Sequence, residues 1–162
     1  MREKHMSSNL PSPHGLYFEE FAVGQTIRTP GRTVTEGDIV AFAGLSGDFN
    51  LIHTDAIYAA TTPFGQRVAH GLLGLSIASG LAVRTGILEG TVLAFREVNE
   101  WKFSQPVYIG DTITVDIEVT EIKPLPRLGG GSVTLRLDVH NQSGASVMKG
   151  SWTVLVARRP SA

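Results

Sequence analysis

The sequence predicts an α+β fold, in which an antiparallel sheet wraps around one long buried central helix. Three observations point there. Residues 70–86, HGLLGLSIASGLAVRTG, carry apolar side chains in nearly every direction around a helical axis, as expected of a helix buried on most sides. Residues 112–120 and 132–140 alternate strictly between apolar and polar, the period of strands with one face in a core. The helical segments all precede most of the strand segments, with no linker-like stretch or internal repeat between them. One domain over residues 16–160 is expected, preceded by a disordered arm over residues 1–15, MREKHMSSNLPSPHG, which lacks the apolar core of a leader peptide.

Each element can be justified in turn. Thr35 is an N-cap for EGDIVAFAGLS, its hydroxyl placed to accept from a first-turn amide. Thr54 is expected to cap a short helix, DAIYAAT, that ends before Pro63. In the long helix Leu72, Leu73, Leu75, Ile77, Leu81 and Val83 supply bulk, while Gly74, Ala78, Gly80 and Ala82 let neighbours come close. A meander of four strands should follow: 93–107, then 112–120, 132–140 and 151–157. NQSG (141–144) reads as a hairpin turn and KPLPRLGGG (123–131) as a looser connection.

Composition narrows the function. The 162 residues carry a net charge of −1 with both signs scattered, which argues against nucleic acid or an anionic membrane as main partner. The longest apolar stretch, Leu72–Val83, is too short for a membrane span, which needs about 20 residues. Cysteine is absent, so disulfides, thiolate metal sites and cysteine nucleophiles are excluded, and a reducing cytoplasm suits the chain. None of the five histidines stands in H-E-x-x-H or another tight chelating spacing, so no metal is expected. GLSGD (44–48) and GLSIA (74–78) both miss the nucleophile elbow G-x-S-x-G. The glycines at 129–131 lack the lysine and helix of a phosphate loop.

One stretch asks for chemistry. GDFNLIHTD (47–55) sets Asp48, Asn50 and His53 among apolar Phe49, Leu51 and Ile52. A separation of five is about 140° around a helix, so Asp48 and His53 meet only across a loop. His53 would then stand just before the helix begun at Thr54, where the positive end of the dipole favours the neutral base. Asp48 among apolar neighbours would be biased toward holding a proton. An acid and a base separated in this way form a usable pair. Gly71, at the start of the long helix, offers an amide without an intrahelical partner, able to stabilise an oxyanion. Acid, base and oxyanion donor together suit addition of water across a double bond conjugated to a carbonyl. Each residue also has a structural reading: Asp48 as a turn cap, His53 as a packed and hydrogen-bonded ring, Gly71 as a helix-packing glycine.

AGLSGDFNLIHTDAIYA resembles the hydratase motif of the MaoC-like, (R)-specific enoyl-CoA hydratase family, whose fold is the hot dog. FEEFAVGQ, FGQRVAHGLLGLSIASG and FREVNEWKFSQPVYIGDTITVDIEVTEIKP continue the similarity, so it covers roughly residues 17–157. The resemblance implies that Asp48 and His53 are a catalytic dyad and that Asn50 orients their loop. It likewise makes Gly71 the oxyanion amide and Ser79 a serine lining the site. It further implies an acyl thioester of coenzyme A or of a carrier protein as substrate, no metal or redox cofactor, and a homodimer whose sheets join edge to edge. The chain departs from the family pattern at Leu51, where proline usually follows the asparagine; leucine adopts the same angles but rigidifies the loop less. Three further readings share the fold: a carrier-protein dehydratase, a thioesterase and a non-catalytic acyl-thioester binder. The thioesterase usually needs a carboxylate on the long helix, and residues 72–83 contain none.

Overall fold

The computed structural model describes residues 14–160; the expected arm lies, but for its last two residues, outside that range. The first helix, α1 (Glu36–Ser46), begins as its sequence requires: the Thr35 side chain accepts from the Asp38 amide, and Asp38 reaches back to the Thr35 backbone, a reciprocal capping box. Gly47 ends it at φ 77°, a left-handed angle that glycine tolerates at a helix C-terminus. Two short helices follow, α2 (Leu51–Thr54) and α3 (Ala56–Ala60). Thr54 is not the cap expected of it. It closes α2, and the Asp55 carboxylate caps α3 by accepting from the Ile57 and Tyr58 amides.

The long helix α4 (Gly71–Val83) buries Leu73, Gly74, Ile77, Ala78, Leu81 and Ala82. That is the i, i+1, i+4 pattern of one stripe, and it lies in the same core as Ile113, Val115, Val133, Leu135 and Trp152. Fully burying a side chain such as Leu81 contributes about 1.5–3 kcal/mol. The expectation of burial on most sides holds only for this stripe: Leu72 and Val83 are exposed, and Leu75 is half-buried.

The sheet is antiparallel throughout, with β1 (Thr26–Arg28), β4 (Thr112–Leu125), β5 (Gly130–His140), β6 (Ser146–Ala157) and β3 (Val92–Phe103) side by side in that order. The two-residue β2 (Arg32–Thr33) also pairs with β4. The alternation holds in β4 and β5, where Ile113, Val115, Ile117, Val119, Leu135, Leu137 and Val139 face inward. Two expectations need correction. β3 is not the first leg of a sequential meander; it crosses to the far edge and pairs with β6. KPLPRLGGG is not a loose connection, because β4 and β5 extend through it to a tight turn over Pro126–Leu128, where proline opens the turn and Gly129 takes a left-handed angle. β1 and β2, too short to show a period, were not foreseen. Edge strand β3 is exposed along almost its whole length, with Phe95 and Phe103 among its open side chains, and three register shifts break its pairing. The sheet curves about α4 in the hot-dog arrangement. Among the described residues no helix is long and apolar enough to cross a membrane.

Candidate active site

The segment between α1 and α4 places the reactive groups. After Gly47 turns the chain, the Ser46 hydroxyl accepts from the Asp48 amide and the Asp48 carboxylate accepts from the Asn50 amide, both at 3.2 Å. The Asn50 side chain then caps α2, its Oδ1 accepting from the Ile52 amide. These short polar rings are the local bonding that Asp, Asn and Ser favour at turns. Leu51 occupies the first position of α2, where a missing N–H costs no helical bond, so proline would also fit there.

His53 is therefore not in a loop ahead of a helix. It lies inside the single turn of α2. The ring is buried, with Nδ1 2.7 Å from the Val68 carbonyl oxygen. A carbonyl only accepts, so Nδ1 carries the hydrogen and Nε2 keeps its lone pair. Asp48, expected in apolar surroundings, is instead exposed. The two still come together: a carboxylate oxygen of Asp48, a ring nitrogen of His53 and one of His70 all lie within 4.8 Å of one another.

His70 went unrecognised in the sequence. It immediately precedes α4, is buried, and stacks on His53 with ring centroids 3.8 Å apart and planes inclined by 27°. Its Nε2–H donates to the Asp48 carbonyl at 2.9 Å. The only sequence signal was its place beside Gly71 at the mouth of an apolar helix.

Carboxylate and imidazoles in this proximity raise the question of a metal, and the donor set does not fit one. Imidazole lone pairs lie in the ring plane. Two near-parallel rings stacked face to face cannot both direct a lone pair at an ion about 2.0–2.1 Å away.

A cleft of about 560 Å³ opens beside the two histidines; Asp48 and Asn50 are not among the residues that line it. His53, Val68, His70 and Gly71 line one side, and Phe64, Phe103, Pro106 and Met148 make the rest largely apolar. The Gly71 amide is the first of α4, where helical geometry leaves it no intrahelical acceptor. A side chain there would crowd the cleft: a Cβ on Gly71 would stand 3.0 Å from Phe103 Cε1. Ser79, expected in the site, lies about 12 Å further along the axis of α4, at 1.5 Å per residue. It is half-buried and outside this cleft.

An ion pair supports the region from outside. Arg67 donates through both terminal nitrogens to Glu36, at 2.8 and 2.7 Å, joining the start of α1 to the residue preceding Val68. Hydrogen bonding from Arg67, and its charge, hold the Glu36 carboxyl below the ordinary glutamate range; the same bond raises Arg67.

Known proteins resemble this chain. The MaoC like domain family matches residues 19–141. The chain is 47% identical over 103 residues to Protein MaoC of Klebsiella aerogenes, covering 64% of this chain but only 30% of that protein. It is 39% identical over 144 residues to an (R)-specific enoyl-CoA hydratase of Rhodospirillum rubrum, covering 88% of this chain and 93% of that one. Among solved structures it resembles a monoamine oxidase regulatory protein from Archaeoglobus fulgius, with a TM-score of 0.84, 38% identity, and coverage of 91% and 97%. From motif, fold and likeness together, this chain belongs to the MaoC-like domain family.

Proposed function

We infer that the protein is a hydro-lyase interconverting a trans-2-enoyl thioester and an (R)-3-hydroxyacyl thioester. The observation that carries this reading is the meeting of the Asp48 carboxylate and the His53 ring beside an apolar cleft that Gly71 borders.

In the hydration direction His53 Nε2 takes a proton from water, and the hydroxide adds to C3. The C2=C3 electron pair moves toward the thioester oxygen, where the Gly71 N–H stabilises the developing negative charge. The His53 imidazolium passes that proton to Asp48, which delivers it to C2, so both groups end the cycle as they began. Asn50, as the cap of α2, holds the turn between acid and base. Ser79 belongs to this site only if the acyl chain runs along α4 to reach it.

The substrate is an acyl thioester, with coenzyme A or a carrier protein as its carrier; no metal or redox cofactor enters the cycle. Residues 16–160 form the catalytic domain. The working unit is a homodimer, a reading supported by the exposed Leu72 and Val83 of α4 and the open edge of β3. Lack of cysteine suits the cytoplasm.

Crotonyl-CoA tests the reading. Loss of the enoyl absorbance without release of free thiol, giving the (R) product, is the expected outcome. Thiol release would identify a thioesterase. No reaction with coenzyme A thioesters but turnover of carrier-bound ones would identify the carrier-protein dehydratase. Binding without turnover of either would leave an acyl-thioester binder.

A further inference from the structure

We propose that His70 is a positioning residue for the Asp48–His53 pair, acting through its hydrogen bond to the Asp48 carbonyl. This rests on the hydratase reading of the site. Asp48 is exposed, and the polar contacts of its carboxylate are local, to the amide two residues on. Among the described residues, the carboxylate on this turn has no tertiary hydrogen bond to anchor it. The anchor comes from 22 residues away: the buried His70 ring donates Nε2–H to the Asp48 carbonyl at 2.9 Å, joining the acid's backbone to the first turn of α4.

The same ring touches the base. It stacks on His53 with centroids 3.8 Å apart, and the Phe42 ring lies at a tilt with its centroid 5.0 Å away. The peptide unit that follows His70 supplies the Gly71 N–H. One residue thus connects acid, base and oxyanion amide, the three groups whose relative placement sets the rate.

Its second nitrogen gives an independent observation. His70 Nδ1 is buried and has no hydrogen-bond partner among the described residues. A hydrogen there would be a buried donor without an acceptor. The carbonyl at Nε2 requires hydrogen on that side. Burial without a partner at Nδ1 therefore favours the Nε2–H tautomer, and the donor stays directed at Asp48. A ring kept only for packing would not need to leave a buried polar atom unpaired, since phenylalanine has none.

Three variants separate the parts of the ring. His70→Phe keeps the stacking face and removes the donor. His70→Gln keeps a donor at the same distance from the backbone and removes the ring. His70→Ala removes both. With crotonyl-CoA, His70→Phe should lower kcat about 100-fold with KM little changed, the effect of an ångström-scale misplacement. His70→Gln should recover most of that loss, and His70→Ala should match His70→Phe. A second readout needs no turnover. Amide hydrogen exchange over residues 48–53 should quicken about tenfold in His70→Phe and stay near wild type in His70→Gln, as local opening becomes easier.

The proposal is overturned if His70→Phe leaves exchange over 48–53 unchanged. It is also overturned if His70→Gln proves no better than His70→Phe in both readouts. An inactive wild type would refute the hydratase reading alone, because the exchange comparison still decides whether His70 holds the loop.

Discussion

His53 Nδ1 and the Val68 carbonyl lie 2.7 Å apart, and this one bond decides which nitrogen of the ring carries the hydrogen. With hydrogen held on Nδ1, Nε2 is the free base. Val68 is itself held by the hydrogen bond its N–H donates to the Ile52 carbonyl and by a strand-like bridge to Tyr108.

His53→Ala and Asp48→Asn should each lower kcat for enoyl hydration by about 10²–10⁴-fold, the range for loss of a general acid or base. Their stabilities should differ. Asp48 is exposed, so its variant should unfold near the wild-type temperature. His53→Ala leaves the Val68 carbonyl without its partner and should cost about 1–3 kcal/mol. Steady-state kinetics and thermal melts on the same preparations check both. An Asp48→Asn enzyme with wild-type kcat would remove the acid from the mechanism.

Gly71→Ala sets a methyl 3.0 Å from the Phe103 ring at the edge of the cleft. Phe103 is half exposed and able to yield, so the fold should survive. The cleft should not be spared: kcat/KM should fall about tenfold, or ~1.4 kcal/mol. Phe103→Ala in the same chain should restore part of the loss, because it removes the atoms in conflict.

Thr35→Ala tests the capping box of α1. It should lower stability by about 1 kcal/mol and leave turnover at moderate temperature close to wild type. A denaturant titration measures the first and the crotonyl-CoA assay the second.

The Arg67–Glu36 pair predicts a pH dependence. Glu36 has a folded-state pKa depressed by hydrogen bonding and charge from Arg67. Its stabilising contribution is therefore complete above the unfolded value, near pH 4.5, and is lost as pH falls through the lower folded value. Glu36→Gln should be less stable than wild type at neutral pH, and the gap should close below about pH 4.5. Parallel urea titrations across that range give the comparison. A gap that widens on acidification would show the sign to be wrong.

What could be read from the sequence was what depends on near neighbours. Thr35 was legible as a cap because its bond to the Asp38 amide spans three residues. The alternation of 112–120 and 132–140 was legible because a core on one side of a sheet imposes a period of two. The pairing of β3 with β6 was hidden, since strand order is decided by closure of the whole sheet. The four residues of α2 show no period at all, so the turn carrying His53 was taken for a loop. The Asp48–His53 relation was visible through its spacing. His70 was not, because its meaning comes from a bond to a residue 22 positions away and from a ring stacked on another ring. Ser79 carried a family expectation that this cleft does not meet.

The uncovered side of α4 has a thermodynamic corollary. Leu72 and Val83 on the helix, with Phe95 and Phe103 on edge strand β3, remain in water in one chain. If a second copy covers them, association and unfolding are linked, and dissociation precedes or accompanies melting. The melting temperature should then rise with protein concentration, and specific activity measured at nanomolar enzyme should decay on dilution while a concentrated stock keeps its full rate.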